Sequence, residues 1–254
     1  MANPLSYTWE ALSALLFPWR FMLISLTFLP PTLLSLLRAG DARAIFSWPL
    51  LQAAWFGRFW SWAGPQVRLG AEELVVQLLE GRVVVGGARG GVGGTVLEIG
   101  PGSGNWVSIF SDRVTRVYGV EPNPAQHPQL RAKIAEAGLG DVYEIVPVGI
   151  EDLASSGRVA PESVDCIVSV LCLCSIPEPR KNIAELYGYL KPGGRWFVYE
   201  HVKRPLSEGW AVSLYQDTAK WLNEAGPWSD VDLVHPENTP WYHTVPHTIG
   251  ILTK

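Results

Sequence analysis

Three glycines and two acidic residues near the middle of the 254-residue chain have the types and spacing to bind a small charged ligand. Gly100, Gly102 and Gly104 follow Glu98 at alternate positions, and Glu121 comes 17 residues after Gly104 (121 − 104). Glycines let a backbone turn sharply and approach a ligand closely. The spacing differs from the Gly-x-Gly-x-x-Gly of dinucleotide sites, which seat a pyrophosphate on a helix N-terminus. The tighter loop, preceded by an acid, suits a zwitterionic amino-acid group instead.

The second acid indicates that the ligand is also a nucleoside. Glu121 ends a predicted strand, where a carboxylate accepts the ribose hydroxyls in nucleotide-binding α/β folds. A free ribose diol beside an amino-acid pocket favours S-adenosylmethionine over NAD, with Glu98 holding the ammonium group through water or backbone. The alternative is an ordinary tight turn followed by a surface glutamate.

Histidines are the candidate bases for a methyl transfer from such a ligand. This reaction depends mainly on aligning donor and acceptor, and an acceptor with an ionisable proton can use a base. His201, at the end of the fifth predicted strand, is the best-placed candidate for a catalytic base. His243 and His247 are weaker candidates, and each of the three can equally be structural.

We expect Cys174, Ser175 and Trp241 to line the acceptor pocket. Cys172, Cys174 and Ser175 end the fourth predicted strand at the lip of the same crevice, and strand residues two apart share a face. Buried cysteine more often packs as a small hydrophobe. Trp106 and Trp241 can stack against the cofactor or the substrate, although core packing is the default for either.

Alternating strands and helices would position these residues. Buried strands are predicted at 95–100, 113–122, 141–150, 163–176 and 195–202, with helices opening at 103–110 and running over 124–137 and 178–190. Two last strands, 229–236 and 247–254, have no helix between them and predict an antiparallel pair at one edge. The pattern predicts an α/β fold with a Rossmann-like, mostly parallel seven-stranded sheet and an antiparallel C-terminal strand.

The first 65 residues form an apolar, tryptophan-rich leader, predicted as broken helices. The run from Phe21 to Leu37 carries no charge, but it is shorter than the roughly 20 residues of a spanning helix, and Pro30-Pro31 interrupts it. An anchor at a membrane surface and a buried helical layer both fit this composition. Residues 66–94 are predicted as an amphipathic helix and a glycine-rich linker, and 95–254 as the ligand-binding domain.

Composition excludes several other classes of function. The net charge is −4 and the pI about 5.8, which disfavours nucleic acid as a partner because that requires a clustered basic face. The three cysteines, Cys166, Cys172 and Cys174, are an odd number within one short stretch and so do not form a disulfide framework. Their spacing is not that of a zinc site, and we predict no bound metal.

Several segments resemble class I S-adenosylmethionine-dependent methyltransferases. The resemblance covers about residues 70–254 and rests on VLEIGPGSGNW, GVEPNP, VDCIVSVLCLCSI, YLKPGGRWFVYEHV and PHTIGILTK. Within this class, the segments most resemble the membrane-associated thiol methyltransferases of the methyltransferase-like seven group and their fungal and bacterial relatives. The resemblance implies a cofactor site made of Glu98, Gly100, Gly102 and Gly104 at the methionine end, Glu121 at the ribose, and Ile150 and Glu151 at the adenine side. Asn123 and Leu171 are also expected to bind the cofactor.

The resemblance also implies a substrate and a location. The expected substrate is a small lipophilic molecule, with a thiol as acceptor, and the leader would lie on the cytoplasmic side of an endoplasmic reticulum or lipid-droplet membrane. A cytoplasmic protein is the alternative location. O- or C-methyl transfer in secondary metabolism and a non-catalytic cofactor-binding relative remain alternative functions. The non-catalytic alternative is motivated by the segment from Lys203 to Pro227, which is shorter than the segment that covers the substrate in this family.

Overall fold

A seven-stranded sheet forms the centre of the fold. The computed structural model describes residues 4–82, 90–110, 113–203, 217–234, 240 and 242–254. Its strands are β1 (Gly94–Ile99), β2 (Val114–Val120), β3 (Tyr143–Val146), β4 (Val164–Val170), β5 (Leu190–His201), β6 (Asp230–Val234) and β7 (His247–Thr253). The helices are α1 (Pro4–Leu26), α2 (Leu29–Arg38), α3 (Ala42–Phe46), α4 (Trp48–Leu79), α5 (His127–Glu136), α6 (Leu153–Ser156), α7 (Pro179–Tyr187) and α8 (Thr218–Glu224).

The strand order is β3-β2-β1-β4-β5-β7-β6. The first five strands are parallel, and β7 runs antiparallel to both β5 and β6. Parallel neighbours need a crossover connection, whereas β6 and β7 are joined without a regular helix among the described residues and pair antiparallel. The predicted fold, including its antiparallel C-terminal strand, is confirmed.

Helices cover both faces of the sheet. The C-terminal half of α4 and helix α5 bury Val75, Leu78 and Leu130 against one face. Helices α6, α7 and α8 bury side chains such as Leu153 and Leu222 against the other. The central strands therefore read as continuous apolar runs, because both of their faces are covered.

The leader and the predicted helix at 66–80 are joined by one long helix. Helix α4 runs from Trp48 to Leu79, so the second half of this helix is the segment predicted at 66–80. Pro65 lies inside α4 and does not end it. Pro30 and Pro31 do break the apolar run, because α1 ends at Leu26 and α2 starts with these prolines in its first turn. Within the described residues, the segment Tyr7–Arg38 is long enough to cross a membrane and contains an 18-residue window with mean hydropathy 1.7.

The prediction that a helix opens at 103–110 was wrong. The described part of this segment contains only a single 3₁₀ turn, Val107–Ile109. The chain must return along β1, about 20 Å for six residues, before β2 begins beside it. The nine residues between Gly104 and Val114 would span only about 14 Å as a helix, which is shorter than this return.

The predicted fourth strand is also shorter than expected. It ends at Val170, and Leu171 has a left-handed backbone (φ 56°) before a 3₁₀ turn at Leu173–Ser175. The buried carboxylate of Glu200 accepts the backbone N–H groups of Cys172 and Leu173, which replaces further strand pairing. Cys172 and Cys174 therefore do not share a strand face, contrary to the prediction.

Candidate functional site

The glycine loop, from Gly100 to Gly104, lies at the point in the sheet where the strand order reverses. The chain passes from β1 to its neighbour β2 on one side, and β4 pairs with β1 on the other. In open α/β sheets, ligands bind in the crevice outside the carboxyl ends of strands at such a switch point. The loop that leaves β1, from Gly100 to Gly104, therefore occupies the position expected for a ligand site.

The three glycines are required by backbone conformation and by space. Gly100, Gly102 and Gly104 have φ values of 61°, 58° and 83°, a left-handed region that disfavours other residues. A Cβ on Gly100 would lie 2.7 Å from the Cβ of Cys172, and one on Gly104 would lie 2.9 Å from the Cβ of Lys133. The loop is thus held between the turn after β4 and helix α5.

Glu98 is buried beneath the loop and bound by a tyrosine from two strands away. The Tyr143 hydroxyl donates to Glu98 Oε2 at 2.5 Å. The phenol reaches β1 because Gly119 lies between them on β2, and a Cβ there would be 2.3 Å from the Tyr143 oxygen. Burial raises the pKa of Glu98 to about 7, while the hydrogen bond from Tyr143 lowers it and the charge of Glu121 raises it. Glu98 can therefore exchange a proton near neutral pH.

Glu121 ties the loop after β1 to the loop after β2. Its Oε2 accepts the Gly102 N–H and its Oε1 accepts the Asn123 N–H, each at 2.9 Å. His127 Nε2 lies 2.8 Å from the Glu121 carbonyl oxygen. Burial raises the pKa of Glu121, and the two backbone hydrogen bonds lower it. The carboxylate is thus fixed at the carboxyl end of β2, as expected for a ribose-binding acid.

The remaining predicted cofactor residues are distributed around this crevice. The Asn123 side chain is turned toward the leader, and its Nδ2 donates to the Ala53 carbonyl at 2.9 Å. Ile150 is buried in the same apolar cluster as Ile99. Glu151 is exposed, in a 3₁₀ turn after β3. Leu171, whose left-handed backbone is uncommon for a non-glycine residue, turns the chain out of β4 beside the loop.

Buried polar groups near the loop fit an amino-acid ligand. Ser103, between two loop glycines, is 2% exposed, and its hydroxyl has no hydrogen-bond partner among the described residues. The side-chain amide of Gln126, five residues after Glu121, is also buried without a partner there. Unpaired buried polar groups are costly unless something satisfies them. The residues present therefore fit S-adenosylmethionine, whose amino acid and ribose carry matching groups.

The turn after β4, where the acceptor pocket is predicted, is organised by Glu200. Its carboxylate is fully buried and accepts the backbone N–H of Cys172 at 3.0 Å and that of Leu173 at 3.1 Å. The Cys172 thiol also donates to it at 3.3 Å. Burial raises the pKa of Glu200 to about 7, although these hydrogen bonds lower it. Ser175 Oγ donates to the Cys172 carbonyl, so this turn is internally bonded.

The end of β5 places His201 beside Cys174. The Cys174 Sγ lies 3.7 Å from His201 Nδ1, and the His201 ring is 4.6 Å from that of His247. Burial lowers the pKa of His201 to about 4 and that of His247 to about 3, the latter helped by the neighbouring histidines. Burial raises the pKa of the Cys174 thiol to about 12. The pair is therefore uncharged at neutral pH.

The two tryptophans considered for stacking differ in outcome. Trp106 is buried in the core, with the Arg68 guanidinium 5.6 Å from its ring centre, which is a packing position. Trp241 lies outside the described residues, as does most of the segment expected to cover the substrate, at 204–216.

Sequence reasoning missed the contribution of helix α4 to this site. One stripe of the helix, with members three or four residues apart, lies over both loops: Ala53, Gly57, Trp60, Gly64 and Arg68. A Cβ on Gly57 would be 2.7 Å from the Cβ of Ala125, and Arg68 donates to the Asn105 carbonyl. The sequence did contain a signal for this contact. Gly57 and Gly64 are seven residues apart, so they lie on one helix face and allow another part of the chain to pack closely there.

Comparison with known proteins identifies related sequences and folds. The model of the family described as methyltransferase domain matches residues 75–242. The thiol S-methyltransferase TMT1B of Homo sapiens is 29% identical over 185 residues, which cover 66% of this chain and 73% of that protein. The phosphatidylethanolamine N-methyltransferase of Cereibacter sphaeroides is 26% identical over 61% of this chain and 73% of its own length.

A solved structure shows the same fold. The N-methyltransferase NodS from Bradyrhizobium japonicum, in complex with S-adenosyl-L-homocysteine, matches with a TM-score of 0.51 and 14% identity, covering 72% of this chain and 85% of that chain.

Proposed function

Because the chain belongs to the methyltransferase-domain family and is an S-adenosylmethionine-dependent methyltransferase, we propose that its acceptor is the thiol of a small lipophilic molecule. The thiol S-methyltransferase to which it is 29% identical supports this choice of acceptor. The observation that carries the proposal is the weakness of the bases on the acceptor side of the crevice.

The residues around the glycine loop would hold the cofactor. Glu98 and the loop glycines would bind the amino-acid end, and Glu121 would bind the ribose. Ile150 and Leu171 would form the walls around the adenine. Bound S-adenosylmethionine supplies an electrophilic methyl group on a good leaving group. The chain's own part is to fix the donor and the acceptor in line and to exclude water.

The acceptor side favours a group that ionises without help. His201 is the best-placed base among the described residues there, yet burial lowers its pKa to about 4. The Glu200 carboxylate is already used by backbone N–H groups. A thiol with a pKa near 8.5 supplies an appreciable fraction of thiolate at neutral pH, whereas a phenol near 10 supplies far less. A site without a strong base therefore suits a thiol best.

His201 then acts as a hydrogen-bond acceptor. Its imidazole is neutral at physiological pH, so it can accept the S–H of an incoming thiol and orient the sulfur without adding a positive charge. Cys174, 3.7 Å away, contributes an uncharged and polarisable neighbour to the same wall.

A lipophilic acceptor would reach the site from a membrane surface. Among the described residues, all but one of the large apolar side chains that are exposed lie between Tyr7 and Leu74, the exception being Val231. They include aromatic rings such as Trp19, Phe46 and Trp48, exposed by 64%, 89% and 61%. Tryptophan is favoured at membrane interfaces, and an apolar surface of this extent is unusual on a soluble monomer. The same leader packs on the glycine loop, so a lipid surface bound by the leader would lie next to the crevice.

The test compares acceptors that differ only in the reacting atom. N-octanoylcysteinamide, N-octanoylserinamide and N-octanoyl-2,3-diaminopropanamide are incubated with the full chain and S-adenosylmethionine in detergent micelles, and the methylated products are quantified. The thiol among them has the pKa of about 8.5 of a cysteine side chain. We expect methylation of this thiol, with Glu121→Ala as the control that removes the cofactor site. Faster methylation of the alcohol or the amine would overturn the thiol assignment. Cofactor binding without methylation of any acceptor would support the non-catalytic alternative.

The membrane proposal has its own test. Flotation with phosphatidylcholine vesicles should recover the wild-type protein, and the double variant Phe46→Asp/Trp48→Asp should remain largely in the dense fraction. Val231→Asp is the matched control, because Val231 is exposed but lies on β6, away from the leader. Equal flotation of all three proteins would contradict membrane binding through the leader.

A further inference from the structure

We propose that Trp60, in the leader helix α4, is a cofactor-binding residue whose indole N–H donates to the carboxylate of S-adenosylmethionine. This inference rests on the proposed placement of the cofactor at the glycine loop. It assigns to the leader a direct part in the binding site, beyond contact with a membrane.

The position of Trp60 follows from the packing of α4. The helix is held over the loop after β2 by the hydrogen bond from Asn123 Nδ2 to the Ala53 carbonyl. Fifteen residues later (68 − 53) it is held over the loop after β1 by Arg68, which donates to the Asn105 carbonyl and to Ser108 Oγ. Trp60 lies between these two attachments and on the same stripe, so its backbone is fixed before a ligand arrives.

The indole nitrogen is directed at the middle of the glycine loop. A Cβ on Gly102 would lie 3.2 Å from Trp60 Nε1, so the absence of a side chain there leaves the loop backbone open to the indole. The ring is half-buried and stacks on Phe56, with centroids 5.7 Å apart and an interplanar angle of 12°. This stacking restricts the rotation of the indole and keeps its N–H at the loop.

The chemistry of this donor selects one group of the cofactor. An indole N–H can only donate, so it pairs with an acceptor and not with an ammonium group. Among the described residues Trp60 Nε1 has no acceptor, whereas Trp55 Nε1 on the same helix donates to the Ser25 carbonyl and Trp228 Nε1 donates to the Leu222 carbonyl. The amino-acid end of S-adenosylmethionine offers a carboxylate as the charged acceptor.

A second unpaired group next to the same glycine supports this assignment. Ser103 follows Gly102 directly, and its buried hydroxyl has no partner among the described residues. Glu98 is held beneath the loop by Tyr143, and Glu121 accepts the N–H of Gly102 itself. The loop therefore has two donors that lack a partner among the described residues, Trp60 and Ser103, for the carboxylate, and two acids for the ammonium group and the ribose.

The test removes the donor and, separately, the acceptor. Trp60→Phe keeps an aromatic ring for the stack on Phe56 but has no N–H. Binding of S-adenosylmethionine and of decarboxylated S-adenosylmethionine to the full chain is measured by calorimetry in detergent. Trp62→Phe is the matched control, because Trp62 lies on the same helix but contacts Phe28 in the leader. The melting temperature of each variant establishes that it is folded.

We expect Trp60→Phe to weaken binding of S-adenosylmethionine by about 10- to 150-fold, as for the loss of a hydrogen bond to a charged group. Binding of the decarboxylated ligand should be unchanged by this substitution, and Trp62→Phe should change neither. An equal loss for both ligands, or no loss for either, would overturn the role of Trp60. Failure of the wild type to bind S-adenosylmethionine at all would instead refute the proposed cofactor site.

Discussion

Replacing Tyr143 with phenylalanine should shift the pH dependence of cofactor binding. In the wild type the Tyr143 hydroxyl donates to the buried Glu98 carboxylate and opposes the effect of burial on its pKa, which is about 7. Tyr143→Phe removes this donor and leaves the ionised carboxylate with less stabilisation. The pKa of Glu98 therefore rises, and the ionised form, which we propose attracts the cofactor ammonium group, is populated only at higher pH.

The size of the shift follows from the strength of the lost bond. A hydrogen bond to a charged group contributes about 1.5–3 kcal/mol, and about 1.4 kcal/mol corresponds to one pH unit. The inflection in affinity should therefore move up by about one to two pH units. At pH 7, where about half of the wild-type Glu98 is ionised, the variant should bind the cofactor about 5- to 50-fold more weakly, and the difference should shrink as the pH rises.

The assay is calorimetric titration with S-adenosylhomocysteine between pH 6 and pH 8.5. Tyr118→Phe is the matched control, because Tyr118 lies on the neighbouring strand β2 with its ring under the Arg116 guanidinium rather than at Glu98. A loss of affinity in Tyr143→Phe that is the same at every pH would refute the reasoning, since it would show that Tyr143 contributes packing and not control of the Glu98 charge.

Three further predictions follow from the packing of α4 and from the acceptor side. Gly57→Ala should lower the free energy of unfolding by about 1–3 kcal/mol, because its Cβ would lie 2.7 Å from that of Ala125, whereas Gly70→Ala, with open space around it, should raise it by about 0.5–1 kcal/mol; urea unfolding that ranks them equally would contradict this. Glu200→Gln should stabilise the fold at pH 8 by about 1–3 kcal/mol and have little effect at pH 4.5. The sign follows because burial raises the folded pKa to about 7 from 4.5, so the folded protein retains a proton that the unfolded chain loses, and stability falls as the pH rises between these values. An equal effect at both pH values would exclude the buried charge as the cause. His201→Ala should lower kcat/KM by about tenfold without changing cofactor affinity, and the wild-type rate should rise with pH toward the pKa of about 8.5 of the proposed thiol acceptor. An inflection near pH 6.5 that disappears in His201→Ala would show that His201 titrates there, contrary to its lowered pKa.

The sequence predicted the sheet well because its signals are local. Each buried parallel strand is a short apolar run, and the alternation with helices determines the class of fold. The glycines at 100, 102 and 104 were recognisable because left-handed backbone favours glycine, as their φ values confirm. The roles predicted for Glu98 and Glu121 remain predictions, although both are buried at the loop.

The contacts that complete the site could not be predicted, because they join residues far apart in the chain. Tyr143 is 45 residues from Glu98, and only the pairing of three strands brings the phenol across Gly119. The docking of Gly57 on Ala125 likewise depends on the sheet being formed. The missing helix after Gly104 reflects a length constraint that becomes visible only when β1 and β2 are known to be parallel.

The order in which the leader and its docking surface are synthesised affects how the protein matures. Trp60 precedes Ala125 by 65 residues (125 − 60), and translation at about 5–20 residues per second takes about 3–13 s to cover that distance. During this interval the stripe of α4 lacks the two loops on which it packs. We expect a nearby bilayer or chaperone to shield it, so synthesis without either should yield more aggregated protein.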